Sequence, residues 1–210
     1  MTHRITFLRH AESEGNATGK LQGQSDVPLT VNGLDQARQL AARWQSLGLY
    51  FDLAISSPLQ RARLTAETVT AALNAPLILD PTWTERDFGG LEGQEFALLR
   101  QASQPVDFYH PYDSIGETGE SMVDVYRRAL LAVQGLLRRP PGRYLVVSHG
   151  AFLTRVMYVI LGITPQGHYN SPIFFLGNTA YLNLTYDSDR RQWRWFGFNN
   201  PDEWSGHQGE

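Results

Sequence analysis

Two short apolar runs end in residues suited to a charged ligand. Ile5–Leu8 leads into Arg9-His10, and Tyr144–Ser148 leads into His149-Gly150. Two other segments carry charge beside turn residues: Ser56-Ser57-Pro58-Leu59-Gln60-Arg61, and Thr84-Glu85-Arg86-Asp87-Phe88-Gly89-Gly90. Singly, each has a plain structural explanation: a surface turn, an exposed helix arginine, a charged loop with a glycine turn, a buried histidine satisfied by backbone. Jointly they ask for more. Two imidazoles and two guanidiniums gathered in one pocket need a counterion, and a phosphate dianion is the natural one.

Other chemistries fit less well. His10-x-Glu12 resembles half of a zinc site of the deaminase kind, but such sites need downstream cysteines and the chain has none. The same absence removes a disulfide framework, a thiolate zinc site and a cysteine nucleophile. There is no G-x-x-x-x-G-K-[ST] loop. Asp187-x-Asp189 falls between two alternating runs, where a hairpin turn is expected.

The elements that would position these residues follow from periodicity. Ile5–Leu8 reads as a buried strand, followed by a polar loop to Pro28. Thr30 can cap a helix with Leu34, Ala37, Leu40, Ala41, Trp44 and Leu47 on its apolar face, stopped by Gly48. Asp52–Ser56 reads as a strand. Ser57-Pro58 predicts a helix start, with serine as cap and proline at the first position. That helix buries Ala62, Ala66, Val69 and Leu73, and holds Arg61 in its first turn, where free N–H groups attract anions.

Leu77–Leu79 is a third strand. Residues 81–119 read as irregular, with one helix near Glu95–Gln101. Ser121-x-x-Asp124 is a capping box for a helix to about Leu137. Tyr144–Ser148 is a strand, and a helix from Ala151 to Leu161 stops at Gly162. Ala180–Tyr186 and Gln192–Phe198 form a C-terminal hairpin. The expected fold is α/β: a three-layer sandwich with a mostly parallel central sheet and helices on both faces. One domain over residues 1–210 is expected, with a lid-like insertion at about 92–119. In such sheets ligands bind outside the carboxyl ends of strands, where Arg9-His10 and His149 stand.

Net charge is −3, which gives no electrostatic footprint for nucleic acid or an anionic membrane. No apolar run approaches ~18 residues and the N-terminus is charged too early for a signal peptide. A soluble cytoplasmic protein acting on a small phosphorylated substrate is the expectation.

The motifs together resemble the histidine phosphatase superfamily, which includes cofactor-dependent phosphoglycerate mutases and related phosphatases. They are Arg9-His10, Asn16, Leu29-Thr30-x-x-Gly33, Ser57-Pro58-Leu59-x-Arg61-Ala62, Glu85-Arg86-x-Phe88-Gly89, Gly119-Glu120-Ser121 and Ser148-His149-Gly150. The resemblance runs from Ile5 to about Gly162, and more faintly through Gly177-Asn178-Thr179. It departs at Ala11, where the family usually shows glycine; a positive φ there would strain alanine.

The resemblance implies that His10 is the nucleophile and forms a phosphohistidine. Imidazole, with a pKa near ~6.5, offers a neutral nucleophile at neutral pH, and neighbouring arginines favour that form. Arg9, Arg61 and His149 would clamp the phosphoryl oxygens, without a metal or other cofactor. Glu85 matches the family's general acid. It must carry a proton to serve the leaving oxygen, and can then activate water. Asn16 and the Gly150 backbone would donate to the phosphate, and Gln22 and Arg86 would contact substrate.

The insertion carries Phe96, Phe108, Tyr109, His110 and Tyr112, which mostly pack against the sheet, with one or two on a hydrophobic substrate wall. A mutase is the alternative enzyme. A phospho-ligand binding module is the alternative outside enzymes, and it would need neither the acid nor the nucleophile. Hydrolysis is preferred because Arg100 and His110 are the only basic residues between Glu92 and Gly119, too few to hold a second phosphate. Substrate identity and oligomeric state have no signature in the sequence.

Overall fold

The computed structural model describes residues 1–102, 107, 108, 110–165, 172 and 174–199. Six strands form one sheet: β1 (Thr2–Arg9), β2 (Leu53–Ser56), β3 (Leu77–Leu79), β4 (Arg143–Ser148), β5 (Tyr181–Asp187) and β6 (Gln192–Asn199). Their spatial order is β3-β2-β4-β1-β5-β6. β3, β2, β4 and β1 run parallel, and β5 and β6 add an antiparallel edge. The sheet is therefore mixed, with the C-terminal hairpin on one side.

The helices are α1 (Glu14–Ala17), α2 (Val31–Ser46), α3 (Gln60–Leu73), α4 (Phe96–Gln101), α5 (Met122–Leu137) and α6 (Gly150–Leu161). Because side chains alternate along a strand, each strand feeds two layers. Leu8, Ala54, Leu145 and Val147 pack with Trp44 of α2 and Ala66 of α3. Phe7, Ile55 and Val146 pack with Val125 and Ala129 of α5 and Phe152 of α6. That gives the three-layer sandwich. No helix of the described residues is long and apolar enough to cross a membrane.

Local signals explain most boundaries. The Thr30 side chain accepts from the Gly33 N–H, and Ser121 and Asp124 form a reciprocal capping box. Gly162 ends α6 in the left-handed conformation, which glycine adopts without a Cβ clash. Leu47 lies past the end of α2 as its C-cap and is exposed.

Two boundaries differ from expectation. Helix α3 begins at Gln60, not at Pro58, with Leu59 as N-cap and no side-chain cap of its own. The Gln60 N–H is instead met by Asp26 Oδ1 at 2.6 Å, a cap from a distant loop. Arg61 still falls in the first turn. Secondly, the segment after His10 is not all loop. Ser13 and Asn16 form a capping box around the short α1.

Positions of the strand ends matter most. β1 and β4 are neighbours, with Arg9 opposite Ser148, and Ser56 of β2 lies opposite Val147. The chain leaves β1 toward α2 on one face and leaves β4 into α6 on the other. Between such diverging connections a crevice opens at the carboxyl ends. The turn after His10 is fixed from below by α2, because a Cβ at Gly33 would lie 1.9 Å from the Glu12 carbonyl oxygen.

Gly33→Ala is therefore expected to destabilise the fold by about 1–3 kcal/mol through overpacking against this turn. Gly135→Ala in α5, where a Cβ meets nothing within 4 Å, should stabilise by about 0.5–1 kcal/mol. Urea denaturation of both variants checks the pair. Equal effects would show that the backbone approach at Gly33 is unimportant.

Candidate active site

His10 follows β1 directly, 2% exposed. Its Nδ1 lies 2.7 Å from the Ala11 carbonyl oxygen. A carbonyl can only accept, so Nδ1 carries the proton and Nε2 is left with a lone pair. Burial first, then the charges of Arg61 and Arg9, hold the His10 pKa well below its ordinary value. The ring is thus a neutral base in the tautomer a nucleophile needs.

Ala11 accommodates this bond without strain. Its φ is not among the positive ones. Its N–H donates to Thr65 Oγ1 at 3.1 Å, and its methyl group is buried with Leu29 and Ala37.

Arg61 is 1% exposed and has no carboxylate within 4.0 Å among the described residues. Two of its nitrogens donate to backbone carbonyls, Ser25 O at 2.8 Å and Gly23 O at 2.7 Å, and Nε has no partner. Burial lowers its pKa from the ordinary arginine value. Arg9 donates to the Leu176 carbonyl and packs beside Gly150.

Glu85 is met by the N-terminus of α6. Its Oε1 accepts from the N–H groups of Arg86 (2.9 Å) and Phe152 (2.7 Å), and Oε2 from Ala151 (3.1 Å). These bonds and the helix dipole fix the carboxyl group in place.

His149 is the N-cap residue of α6 and is fully buried, its ring centroid 5.1 Å from that of His10. Burial, reinforced by Arg61, keeps it neutral as well. Its Nε2 is 2.8 Å from Ser57 Oγ, while Nδ1 has no partner. Ser57 Oγ already accepts from the Leu59 N–H at 3.3 Å. Assigning the hydroxyl proton to Nε2 places the His149 proton on Nδ1, an unmet donor next to His10. Ser57 is thus a histidine partner and not the helix cap its sequence suggests.

These groups meet at a cavity of about 410 Å³ lined by Arg9, His10, Asn16, Arg61, Glu85 and Gly150, among others. His149 lies behind His10 and does not line it. Asn16 Oδ1 is held by the Ser13 N–H (3.2 Å) and Asn178 Nδ2 (3.1 Å), which leaves its own N–H groups for a ligand. Gln22 lines the cavity and folds over Gly15, where a Cβ would lie 2.3 Å from its side chain.

Arg86 also lines the cavity, but its guanidinium bonds to Glu120 O (3.0 and 2.8 Å) and Phe108 O (2.7 Å). It ties the insertion to the site. Of the insertion's aromatics, Phe96 and Phe108 line the cavity, His110 pairs with Asp113, and Tyr109 lies outside the described residues.

The sequence reading passes over three supports. Glu92 accepts from Gln24 N, Ser25 N and Ser25 Oγ, fixing the loop whose carbonyls hold Arg61. Arg128 bonds bidentately to Glu120 and donates to Thr84 O and Glu85 O, bracing the acid's backbone. Lys20 and Arg155 add cations to the cavity wall outside the insertion. Of these, only Glu120 carried a signal, within Gly119-Glu120-Ser121. The others depend on long-range placement. Among the described residues, no group of three or more His, Cys, Asp or Glu could hold a metal ion.

The comparisons define the class. A profile of the histidine phosphatase superfamily (branch 1) matches residues 5–199, and the chain belongs to that family. It is 37% identical over 164 residues to the probable phosphoglycerate mutase GpmB of Proteus mirabilis, covering 76% of this chain and 75% of that protein. Among solved structures it resembles phosphoserine phosphatase from Entamoeba histolytica in complex with 3-phosphoglyceric acid. The TM-score is 0.77 and the identity 27%, over 95% of this chain and 98% of that one. Bacillus stearothermophilus YhfR gives a TM-score of 0.77 at 27% identity, over 92% and 95% of the two chains. The chain is an enzyme of the phosphatase and phosphoglycerate mutase kind.

The neutral histidines have a measurable consequence. Below pH about 6.5 the unfolded chain takes up protons at positions 10 and 149 that the folded chain refuses. Stability should therefore fall as pH drops below about 6.5, until the lowered folded values are reached. Histidine-detected nitrogen NMR at pH 6 should show His10 neutral and protonated on Nδ1. An imidazolium at that pH would contradict the site described.

Proposed function

We propose that the protein hydrolyses phosphate monoesters through a phosphohistidine on His10, without a metal ion. The observation that carries this reading is the Nδ1–Ala11 bond, which leaves a neutral Nε2 in a cavity walled by Arg9 and Arg61. In the first step Nε2 attacks phosphorus, the P–O bond to the alcohol breaks, and Glu85 delivers its proton to the leaving oxygen. In the second, water attacks phosphorus, its proton passes to Glu85, and the P–N bond breaks to return neutral His10. Arg9, Arg61, the side-chain amide of Asn16 and the Gly150 backbone hold the phosphoryl oxygens, and His149, packed against the His10 ring outside the cavity lining, supports the nucleophile. Gln22 and Arg86 border the leaving group.

Glu85 suits its role by lone-pair count. An ionised carboxylate offers about four acceptor sites. Three are taken by backbone N–H groups, two on Oε1 and one on Oε2, so Oε2 keeps the position for the transferred proton.

Mutase activity is the second reading, favoured by the likeness to proteins named probable phosphoglycerate mutase. A mutase must hold a bisphosphorylated intermediate. The insertion contributes little to that: Arg100 stacks on Phe96 and lines a separate hollow, and His110 pairs with Asp113. Lys20 and Arg155 are the cations that could hold a second anion, and they keep this reading open to test. Transfer to water is the reading adopted, with the insertion as a partial lid.

Rapid quench with labelled substrate should trap an acid-labile, base-stable adduct on His10, and His10→Ala should lose on the order of 10³-fold in rate. Activity should survive chelation. Glu85→Gln should damage an alkyl phosphate far more than a nitrophenyl phosphate, whose leaving group needs little protonation, while Arg61→Ala should damage both alike. Near wild-type turnover in His10→Ala, or recovery by Mg²⁺ after chelation, would overturn the mechanism. A coupled mutase assay primed with 2,3-bisphosphoglycerate, run beside free-phosphate release, separates the two readings.

A further inference from the structure

Beyond the phosphate clamp the cavity wall changes character. Phe88, Phe96 and Phe108 come from the segment after Glu85, and Phe174, Phe175 and Leu176 from the approach to β5. The first three form a cluster, with ring centroids 6.3 Å apart for Phe88–Phe108 and 5.2 Å for Phe96–Phe108. Phe96 is 41% exposed and Phe175 63% exposed. Large aromatic side chains left open to water at a cavity's edge mark a place where something apolar is covered.

The polar groups of this outer wall are mostly engaged by the protein itself; Arg155, its buried cation, lies over the Tyr158 ring with Nη2 on the Met122 sulfur. The three bonding nitrogens of Arg86 serve the Phe108 and Glu120 carbonyls. The Thr154 hydroxyl faces the carbonyls of Gly150 (2.9 Å) and Phe174 (3.1 Å). Gln22 Oε1 is occupied by the Ser13 hydroxyl at 2.7 Å. Apart from Glu85, no described lining residue is acidic. A polyol leaving group would surrender its hydration here and find few partners in exchange, which costs affinity. Lys20 lies at the exposed rim, where a charge can keep its water.

From this we infer that the enzyme selects phosphate monoesters whose alcohol is apolar, a medium-length alkyl or an aryl group, over sugar and glycerol phosphates. The inference rests on the monoester phosphatase reading and adds the chemical class of the leaving group. It gives the exposed phenylalanines a role that phosphate binding alone does not require.

Methyl, butyl and hexyl phosphate, like glycerol 3-phosphate and glucose 6-phosphate, release unactivated alkoxides, and the neighbouring hydroxyls of the polyols favour departure, so leaving-group reactivity works against the expected order. Free-phosphate release should show kcat/KM rising about threefold to fourfold per methylene up to hexyl, the factor expected for full burial of each CH₂. The polyol esters should gain nothing over methyl phosphate. Calorimetric binding of the corresponding alkylphosphonates should follow the same slope without any turnover. The double substitution Phe96→Ser with Phe175→Ser, shown by circular dichroism to keep the fold, should flatten both slopes.

A flat series, a polyol ester preferred over hexyl phosphate, or unchanged slopes in the double variant would overturn the inference. Phosphonates that tighten with chain length while no ester is hydrolysed would sustain it and sink the hydrolysis reading instead. Hydrolysis with no chain-length dependence would do the reverse.

Discussion

A buried guanidinium with no carboxylate in ion-pair contact among the described residues governs this site. A charge with Arg61's burial is costly unless something compensates it. The fold compensates it incompletely, with the Ser25 and Gly23 carbonyls on two nitrogens and the charges of Glu85, Asp26 and Glu92 acting from beyond ion-pair distance. Carbonyl dipoles hold the side chain without neutralising it. The residual field falls on His10 and His149 and helps keep both uncharged. In the proposed mechanism a phosphate dianion completes what the protein leaves unfinished, so the same charge that lowers the histidine pKa values would also recruit the substrate. An acid salt-bridged to Arg61 would stabilise the arginine and weaken both effects.

This arrangement needs loops held as firmly as strands. The carbonyls that meet Arg61 belong to the turn at residues 23–25, and that turn is fastened by the Glu92 carboxylate. Gly23 is required there, since it has a positive φ of 53° and a Cβ would fall 1.8 Å from Glu92 Oε1. One of the non-glycine residues with a positive φ is Thr179, at 58°. A non-glycine residue in that region costs on the order of 1–3 kcal/mol. Its neighbour Asn178 donates to both His10 O and Asn16 Oδ1, and the Thr179 N–H reaches His10 O at 3.4 Å. Backbone strain is thus placed where it joins the turn before β5 to the phosphate-facing loop after β1.

What could be read in the sequence follows a physical division. Strand ends and local caps depend on neighbours in the chain, so Arg9-His10, His149, Thr30 and Ser121 declare themselves. The Ser13-x-x-Asn16 box was equally local, but four residues of helix leave too little periodicity to stand out from a loop. Ser57-Pro58 misleads because two roles compete for one hydroxyl. Bonding to His149 across the sheet takes precedence over capping α3, and Asp26, thirty-four residues away from Gln60, supplies the cap instead. Arg86 shows the converse: its motif points to the site, but its guanidinium serves the backbone of the insertion. Such exchanges among distant partners have no period or spacing to betray them.

The glycine-to-alanine departure after the nucleophile illustrates how a local rule is settled by packing. A methyl group at position 11 would be intolerable if the backbone needed a positive φ or if phosphate lay against the Cα. Neither holds. The residue takes an ordinary φ, and its methyl group packs in the small cluster of Leu29 and Ala37, on the side of α2. The backbone of Ala11 does the functional work: its carbonyl sets the His10 tautomer and its N–H is anchored on Thr65, whose own hydroxyl donates to the Arg61 carbonyl. A short relay therefore links the His10 ring proton to the helix that carries Arg61. A change at Thr65 would reach the chemistry through this relay, by loosening the Ala11 peptide that decides which nitrogen of His10 is free.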